Sequence, residues 1–491
     1  MLLGLNATGK SNFLEALVII FRDLDLETHS GLEFTIRYEC RSHDIEVDFE
    51  KKSGYTFIVD RAKLKSKSEF FKLKETYLPK HVFVYYSGIN NRMSDLFNPH
   101  LRKYYERITS DDSQYSEFNE IPRIFLVDNI HGSMALVAFY LFQEREKETL
   151  KFLKDELGIL DFGSALFALK KPRWAKESIE EDRFWGSKGL VRRFLDDLWL
   201  FSLAPINNRE GYFPNYKHSE TQDRWYLYIK DKQTFMDLKE FKYSDKTNFF
   251  NALNSLDISD LIHELRINVV KEVKSGEIPN KELSEGEKQL LTVLGMLKFT
   301  RDDEALILLD EPDTHLNPMW KWKFLDYIDD VVKRPESTQI IFCSHDPLVI
   351  GNMEKSQVQI FKRDGEGKTQ THQPRRSPKG LGVAGILTSE MFNLPTTLDS
   401  ETQDLINERN ILLFKESEGK MNEQDMVRLK ELYEILNSQG FSQIFKDPLY
   451  TEFVKAYEKD QKESKPVTIS TAESKESKAL EIVRKMKKDE K

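Results

Sequence analysis

The chain has few of the features that mark secreted, membrane-spanning or polycationic proteins. Two cysteines occur in 491 residues, and Cys40 and Cys343 both fall in apparent strands, which argues against a disulfide framework or a zinc cluster and favours the reducing cytoplasm. No apolar run approaches the roughly 20 residues that span a bilayer, so we expect no membrane-embedded segment. The formal net charge of −9 gives no overall attraction to nucleic acid, so any such contact depends on local basic patches.

What the sequence does contain begins at its first residues. Gly4-x-x-x-x-Gly9-Lys10-Ser11 has the spacing of a phosphate-binding loop, in which backbone N–H groups surround a polyphosphate, the lysine reaches the terminal phosphates and the serine hydroxyl joins Mg²⁺. Residues 2–3 predict the end of a buried strand, and the apolar residues after the loop recur with helical spacing. The predicted nucleotide-binding residues of this loop are Gly4, Asn6, Ala7, Thr8, Gly9, Lys10, Ser11 and Asn12.

Two further strands are predicted downstream, and each ends in polar residues. The apolar run 305–309 ends in Asp310 and Glu311, and two carboxylates there are costly to bury without a cation or a proton to handle. We assign Asp310 to the Mg²⁺ shell and Glu311 to the attacking water. The run 339–343 is followed by His345, which we expect at the same sheet edge, within reach of a γ-phosphate. The predicted catalytic residues are Glu311, His345 and Lys10, and the predicted metal ligands are Ser11 and Asp310.

Between these segments lies Leu283-Ser-Glu-Gly-Glu-Lys-Gln289. Ser284 and Glu287 have the spacing of a capping box, which opens a helix whose free N–H groups and positive dipole end attract phosphate. Alone, this stretch is more typical of a well-capped helix with no ligand. The motifs on either side of it favour the phosphate-binding interpretation.

Taken together, these motifs and the run Asp313-Thr-His-Leu-Asn-Pro318 resemble the ATP-binding cassette (ABC) class of AAA family ATPases, in the branch that contains RecF and SMC proteins. The resemblance implies an α/β head with a mixed sheet flanked by helices and a small antiparallel β layer. It also implies that two heads pair, with Ser284, Gly286 and Glu287 of one subunit closing on the ATP of the other. Asp313 and His315 would lie at the seam, although Asp313-Thr314 also fits simple helix initiation.

The sequence departs from this family at two places. Members carry more strand and turn before the phosphate loop, so either the chain starts at an internal methionine of a longer protein or the adenine contacts come from elsewhere. The family also places a glutamine near Mg²⁺ and the attacking water. In this chain the first glutamine after the phosphate loop is Gln114, which lies in a polar stretch. Asn90 or Asn91 is the candidate replacement.

The pattern along the chain predicts five segments and no sustained heptads of a long coiled coil. Alternating residues predict antiparallel strands at 32–40, 45–50 and 55–59, and a further strand is predicted at 224–229. The segments are ATPase lobe I at 1–100, a mostly helical insertion at 101–282, ATPase lobe II at 283–385, a helical carboxyl-terminal extension at 386–459 and a charged tail, expected to be disordered, at 460–491.

Three basic stretches are candidates for nucleic-acid contact, although each is also typical of a solvated face. They are residues 61–74, Lys170–Trp174 and Arg375–Lys379. The stretch 411–419 faintly resembles the acidic strand end of a Toprim nuclease, but its pattern favours a helix. A nuclease in this system would therefore be a separate subunit.

These observations predict a cytoplasmic, Mg²⁺-dependent ATPase that binds ATP as a homodimer of heads or a higher homo-oligomer. Stand-alone ATPases of this build resemble those that bacteria pair with a nuclease or other effector in anti-phage defence, such as the Septu systems. Two alternatives stay open at this point. One is a RecF-like DNA repair or recombination ATPase, and the other is a low-turnover, ATP-gated scaffold that holds an effector inactive.

Overall fold

The computed structural model describes residues 1–4, 7–88, 92–113, 121–175, 183–215, 218–271, 277–300, 304–332, 337–417 and 419–438. The chain divides into two compact units, Met1–Asn393 and Leu394–Lys491. Among the described residues, no helix combines the length and the apolar character needed to cross a membrane.

The first unit carries all of the predicted motifs, and its elements follow the chain. Its described helices are α1 (Lys10–Asp25), α2 (Lys67–Lys72), α3 (Lys74–Tyr77), α4 (Asn98–Ile108), α5 (Asn129–Leu141), α6 (Lys147–Leu157), α7 (Gly189–Phe201), α8 (Lys232–Lys242), α9 (Lys246–Ile258), α10 (Glu285–Thr300), α11 (Pro318–Val331), α12 (Pro347–Ile350) and α13 (Gly382–Thr388). Its described strands are β1 (Leu2–Leu3), β2 (Phe34–Cys40), β3 (His43–Glu50), β4 (Gly54–Val59), β5 (Ala62–Lys63), β6 (His81–Tyr86), β7 (Ile124–Val127), β8 (Ile159–Lys170), β9 (Ile206–Asn215), β10 (His218–Ile229), β11 (Ile262–Lys271), β12 (Glu277–Pro279), β13 (Ala305–Asp310), β14 (Thr338–Cys343), β15 (Gln359–Arg363) and β16 (Thr369–His372).

A central sheet of seven strands has the order β16-β15-β1-β14-β13-β6-β7. All of its neighbouring strands are parallel except β15 and β16. Every residue of β13 is buried, because helices cover both faces of a parallel sheet. Leu306 and Leu308 face one apolar core, shared with α1, whereas Ile307 and Leu309 face a second core, shared with α5 and α10. The predicted strand at 305–309 is confirmed.

The register of this sheet explains how distant motifs meet. Asp310, the last residue of β13, pairs with Cys343 at the end of β14 and with Tyr86 at the end of β6. The carboxyl ends of three parallel strands therefore lie side by side. Parallel α/β sheets place their ligands at this edge.

The small antiparallel layer is confirmed. It has the order β2-β3-β4-β5, and β2 to β4 coincide with the strands predicted from alternating residues. On β3, Ile45, Val47 and Phe49 are buried while the residues between them face outward, as the period of two side chains requires.

The segment 101–282 differs from the mostly helical insertion that the sequence predicts. The predicted strand at 224–229 is present within β10, but four more strands join it in a five-stranded antiparallel sheet of order β12-β11-β8-β10-β9. In addition, β7 pairs with β6, so this segment contributes to the central sheet. The expectation missed β8 because its residues 165–170 have no alternation of apolar and polar residues, and the alanines and leucines among them favour a helix by propensity.

The second unit is helical as far as the structure describes it. Its described helices are α14 (Ser400–Ser417) and α15 (Glu423–Ser438), which pack through Leu412, Leu429 and Leu432. Residues 411–417 lie within α14 and not at a strand end, so the helical interpretation of this stretch is confirmed. Residues 439–459 and the predicted tail at 460–491 lie outside the described residues.

Candidate nucleotide-binding site

The predicted phosphate loop connects β1 to α1, as the motif requires. Gly4 and Gly9 have φ of 147° and 99°, in the range that favours glycine. A Cβ on Gly4 would lie 2.6 Å from the Phe361 carbonyl oxygen, so a side chain does not fit there. Gly9 precedes α1 without a side-chain cap, which leaves the first N–H groups of the helix for an anion. Asn6 lies outside the described residues.

Lys10 is the predicted phosphate-contacting cation, and it is buried. Its Nζ donates a hydrogen bond to the Gly4 carbonyl oxygen at 2.8 Å, so the ammonium lies across the mouth of its own loop. Burial lowers the pKa of Lys10, and the carboxylates of Glu311 and Asp310 oppose that shift. These two charges therefore lie close enough to Lys10 to share one site with it.

Ser11 and Asp310 meet at the position expected for Mg²⁺. The Ser11 hydroxyl donates a hydrogen bond to the buried Asp310 carboxylate, and burial raises the pKa of Asp310 despite that bond. A cation at this point would remove the cost of the buried charge. Among the described residues, no three His, Cys, Asp or Glu side chains cluster as a metal cage. The Ser11 hydroxyl and the Asp310 carboxylate fit Mg²⁺, which takes one or two protein oxygens and completes its shell with phosphates and water.

Glu311 and His345 face each other beside this pair. Nε2 of His345 lies 3.5 Å from Oε1 of Glu311, and both side chains are half-exposed. Glu311 has a φ of 50°, a strained conformation for a non-glycine residue, while its N–H donates to the Cys343 carbonyl oxygen at 3.0 Å. Burial, followed by the charge of Lys10, lowers the pKa of His345. A neutral imidazole therefore faces an accessible carboxylate.

The loop after Glu311 is fixed by Asp313. This side chain is buried and accepts a hydrogen bond from the Ser344 hydroxyl at 2.8 Å, so it joins the ends of β13 and β14. The helix-initiation alternative for Asp313-Thr314 is wrong, because the cap of α11 is Asn317, whose Oδ1 accepts from the Trp320 N–H at 2.9 Å. We call residues 313–317 the seam loop, and in it the residues 314–315 are exposed.

The buried carboxyl of Asp313 leads to a pH-dependent stability prediction. Burial raises its pKa to about 6, above the value of about 3.9 in an unfolded chain. The folded state therefore binds this proton more tightly, and its free energy of unfolding falls as pH rises from about 4 to about 6. Asp313→Asn keeps an oxygen for Ser344, so we expect it to raise the free energy of unfolding by up to about 3 kcal/mol above pH 6.

Urea denaturation at pH 8 and pH 4.5 measures this free energy of unfolding, and Asp326→Asn, at an exposed position, is the control. An equal effect of Asp313→Asn at both pH values would contradict the explanation.

The predicted capping box is confirmed at the start of α10. The Ser284 N–H donates to Glu287 at 2.7 Å, and the Glu287 N–H donates to the Ser284 hydroxyl at 3.2 Å. Glu287 also forms an ion pair with Lys271. A Cβ on Gly286 would lie 2.6 Å from the His315 carbonyl oxygen, so this glycine lets the helix start approach the seam loop. Ser284 itself is exposed.

The structure also brings in residues that the motifs alone did not indicate. Arg92 donates to Oδ1 of Asn12 at 2.9 Å and pairs with Glu15 at 2.6 Å, so one predicted nucleotide contact is engaged within the protein. The Thr369 hydroxyl of β16 donates to the Thr8 carbonyl oxygen at 2.9 Å. The proposed glutamine replacements Asn90 and Asn91, and Gln114 itself, lie outside the described residues.

Gln289 is the most connected of these residues. Its buried amide contacts Tyr85, Glu311 and His315. It belongs to the same motif as Ser284, so its position could have been singled out from the sequence. Its partners could not, because they are separated from it by long stretches of chain.

Comparison with known proteins supports the interpretation of these motifs. Residues 270–351 match the family described as "AAA domain, putative AbiEii toxin, Type IV TA system". The chain is 25% identical over 198 residues to the Septu protein PtuA of Bacillus mycoides (strain KBAB4), covering 38% of this chain and 27% of that protein. It is 23% identical over 232 residues to the Retron Vc95 probable ATPase of Vibrio cholerae serotype O1 biovar El Tor, covering 44% of this chain and 40% of that protein. The chain thus spans less than half the length of these relatives.

Among solved structures, the SMC head domain from Thermotoga maritima matches with a TM-score of 0.30 and 10% identity, covering 76% of this chain and 88% of that chain. The recombination mediator protein RecF with ATP matches with a TM-score of 0.23 and 15% identity, covering 76% of this chain and 92% of that chain. The classification itself depends on the motif order, the sheet edge and the family match at 270–351. On that evidence the chain resembles ATPases of the AAA/ABC type, in the branch that contains RecF, SMC proteins and the ATPases of defence systems.

Proposed function

We propose that this protein is a Mg²⁺-dependent ATPase whose heads pair around ATP and thereby control a separate effector. The observation that carries this proposal is the gathering of Lys10, Ser11, Asp310, Glu311 and His345 at one edge of the central sheet. They come from three separate segments, the phosphate loop, the end of β13 and the turn after β14, and together they supply a phosphate-binding cation, metal-ligating oxygens, a base and a polar imidazole.

The chemistry follows from what each side chain can do there. Mg²⁺, held by Ser11 and Asp310, would neutralise phosphate charge. Lys10 orients the terminal phosphates, and phosphoryl transfer needs little beyond such positioning and charge neutralisation. Glu311 accepts the proton of the attacking water. His345, kept neutral by its surroundings, donates or accepts a hydrogen bond at the γ-phosphate or the water.

The second half of the site comes from a second copy of the chain. The capped start of α10 presents the exposed Ser284 together with free helix N–H groups, which favour an anion. Because the hydrogen bonds of Ser284 and Glu287 lie within their own turn, this surface is preformed. ATP between the two surfaces would hold the heads together, and hydrolysis would release them.

The role that we propose is anti-phage defence in the bacterial cytoplasm, with a nuclease as the controlled subunit. The partial likeness to the Septu protein PtuA and to a retron ATPase supports it. A single observation favours the alternative of a DNA repair ATPase. A cavity of about 570 Å³ lies at the amino ends of β6 and β7, and basic residues outnumber acidic ones in its lining: Arg41, Lys74, Lys80, Lys103, Arg107 and Arg123 against Asp25 and Glu75, both of which pair with Arg123. The low-turnover scaffold is the weaker alternative, because a scaffold has no need of the base Glu311.

Purification of the tagged protein from its native host separates these roles. We expect Mg²⁺-dependent ATP turnover that stops with EDTA, and recovery of a nuclease subunit at a constant ratio to the ATPase. A matched preparation of the Lys10→Ala variant controls for binding that does not depend on nucleotide. Turnover that rises at least several-fold with duplex DNA, without any copurified subunit, would favour the repair role. Absence of turnover under all these conditions would favour the scaffold.

A further inference from the structure

The Gln289 side chain lies where three parts of the nucleotide site come together. It is on the second turn of α10, one turn after the capped start, and it is only 2% exposed. Its Nε2 donates to the Tyr85 hydroxyl at 3.1 Å and to the Glu311 carbonyl oxygen at 3.4 Å. Its Oε1 accepts from the His315 N–H at 2.9 Å. A buried amide needs such partners, and here one partner lies on β6 while the other two lie in the connection between β13 and α11.

Two of the three partners lie at or beside the reacting groups, and the third lies in the seam loop. Tyr85 lies on β6, one residue before the sheet edge that Asp310 shares. Glu311 carries the proposed base, and its backbone is already held in a strained conformation at a φ of 50°. His315 is an exposed residue of the seam loop. A displacement of α10 would therefore move both the backbone of Glu311 and the seam loop.

The close approach of Gly286 makes this connection stiff. The His315 carbonyl oxygen would be 2.6 Å from a Cβ on Gly286, while the His315 N–H is bonded to Gln289. The first two turns of α10 thus contact the seam loop on both sides of His315, at its N–H and at its carbonyl oxygen. Packed elements with two discrete arrangements transmit such shifts better than flexible loops do.

We propose that Gln289 is a positioning residue that couples the two nucleotide sites of a head pair. This inference rests on the proposed function, in which Ser284 of one chain contacts the ATP of its mate. That contact displaces the start of α10. Through its hydrogen bonds, Gln289 then displaces the backbone of Glu311 and the seam loop in its own chain. ATP bound at one site therefore sets the geometry of the base at the other site.

The coupling has a measurable consequence in steady-state kinetics. In the intact protein, we expect ATP turnover to depend on ATP concentration with a Hill coefficient above 1. Gln289→Met has nearly the same volume but no hydrogen-bonding group, so it should remove the coupling while filling the same space. We expect kcat to fall by about 5- to 150-fold, the factor that corresponds to typical coupling energies. The Hill coefficient should fall to about 1, and the affinity for a fluorescent ATP analogue should change less than about 2-fold.

Two further variants provide a second disruption of Gln289 and a control. Gln289→Asn retains the amide but is one methylene shorter, so it cannot reach all three partners and should reproduce the kinetic loss if Gln289→Met folds poorly. Thr292→Val is the matched control, because Thr292 is a fully buried residue three positions further along α10 whose hydroxyl has no hydrogen-bond partner. We expect wild-type kinetics from this control. Thermal melting of all three variants checks that they are folded.

The outcomes separate this proposal from the proposed function. Light scattering with and without ATP reports whether the wild-type heads pair. If they pair and Gln289→Met and Gln289→Asn keep wild-type kcat and cooperativity, the role of Gln289 is overturned and the ATPase assignment stands. If the wild-type protein hydrolyses ATP as a monomer with no cooperativity, the paired-head function fails, and the coupling fails with it. Loss of cooperativity in both Gln289 variants but not in Thr292→Val supports the coupling.

Discussion

Glu311→Gln is expected to lower ATP turnover by roughly 10²- to 10⁴-fold, the usual contribution of a general base, while ATP binding persists. Glutamine has the same shape as glutamate but cannot accept the proton of the attacking water. The carboxylate is half-exposed and 3.5 Å from Nε2 of His345, so an amide fits there without repacking. Lys10, Ser11 and Asp310 are unaltered, so the affinity for Mg²⁺ and ATP should stay within a few-fold of the wild-type value.

The measurement combines phosphate release with light scattering. Because a bound but unhydrolysed ATP would hold the heads together, the Glu311→Gln protein should accumulate as ATP-dependent pairs. Glu366→Gln is a suitable control, since Glu366 pairs with Lys368 in an exposed turn far along the chain from β13. Near-normal turnover by the Glu311→Gln protein would exclude Glu311 as the base. Loss of ATP binding would instead indicate that the carboxylate has a structural role.

Local sequence patterns predicted the parts of this site that local physics determines. The glycines of the phosphate loop, the apolar run before Asp310 and the capping box at Ser284 each depend on residues within one turn or one strand. Their structures agree with the prediction for that reason. The meeting of Asp310 with residues near Cys343 could be predicted as well, because parallel strands end at a common edge.

Features that depend on distant partners were not predictable in this way. The strand β16 is fully exposed, so it lacks the apolar alternation that reveals a strand. The strand β8 carries residues with a helical preference, and pairing with β10 and β11 overrides that preference. Gln289 has partners on β6 and in the seam loop that no local pattern indicates. The sequence thus predicted which residues meet at the site, whereas the structure was needed for the connections between its parts.

Mixing two inactive proteins tests whether the site is shared between chains. Ser284→Arg blocks the surface that we assign to the mate's ATP, and Lys10→Ala removes the cation that holds a chain's own ATP. Alone, each variant should lose nearly all turnover, because every site of a symmetric pair contains the altered residue. In a mixed pair, the Lys10 of one chain meets the Ser284 of the other, and one of the two sites is intact. Random pairing of an equal mixture should therefore restore about a quarter of the wild-type turnover if the sites act independently, and less than a quarter if the coupling through Gln289 makes the intact site depend on ATP at the other site.

The matched control for this experiment is a mixture of Lys10→Ala with Glu311→Gln. Lys10 and Glu311 lie in the same chain's site, where the carboxylate acts on the pKa of the lysine, so neither site of a mixed pair is intact and turnover should stay low. Ser284 also caps α10, and its loss costs about 1 kcal/mol, so thermal melting must show that Ser284→Arg is folded. Recovery in the first mixture alone means that Ser284 acts on the ATP of the mate. If turnover stays low in both mixtures, with folded proteins that exchange subunits, and ATP also fails to promote pairing in the first mixture, each chain completes its own site.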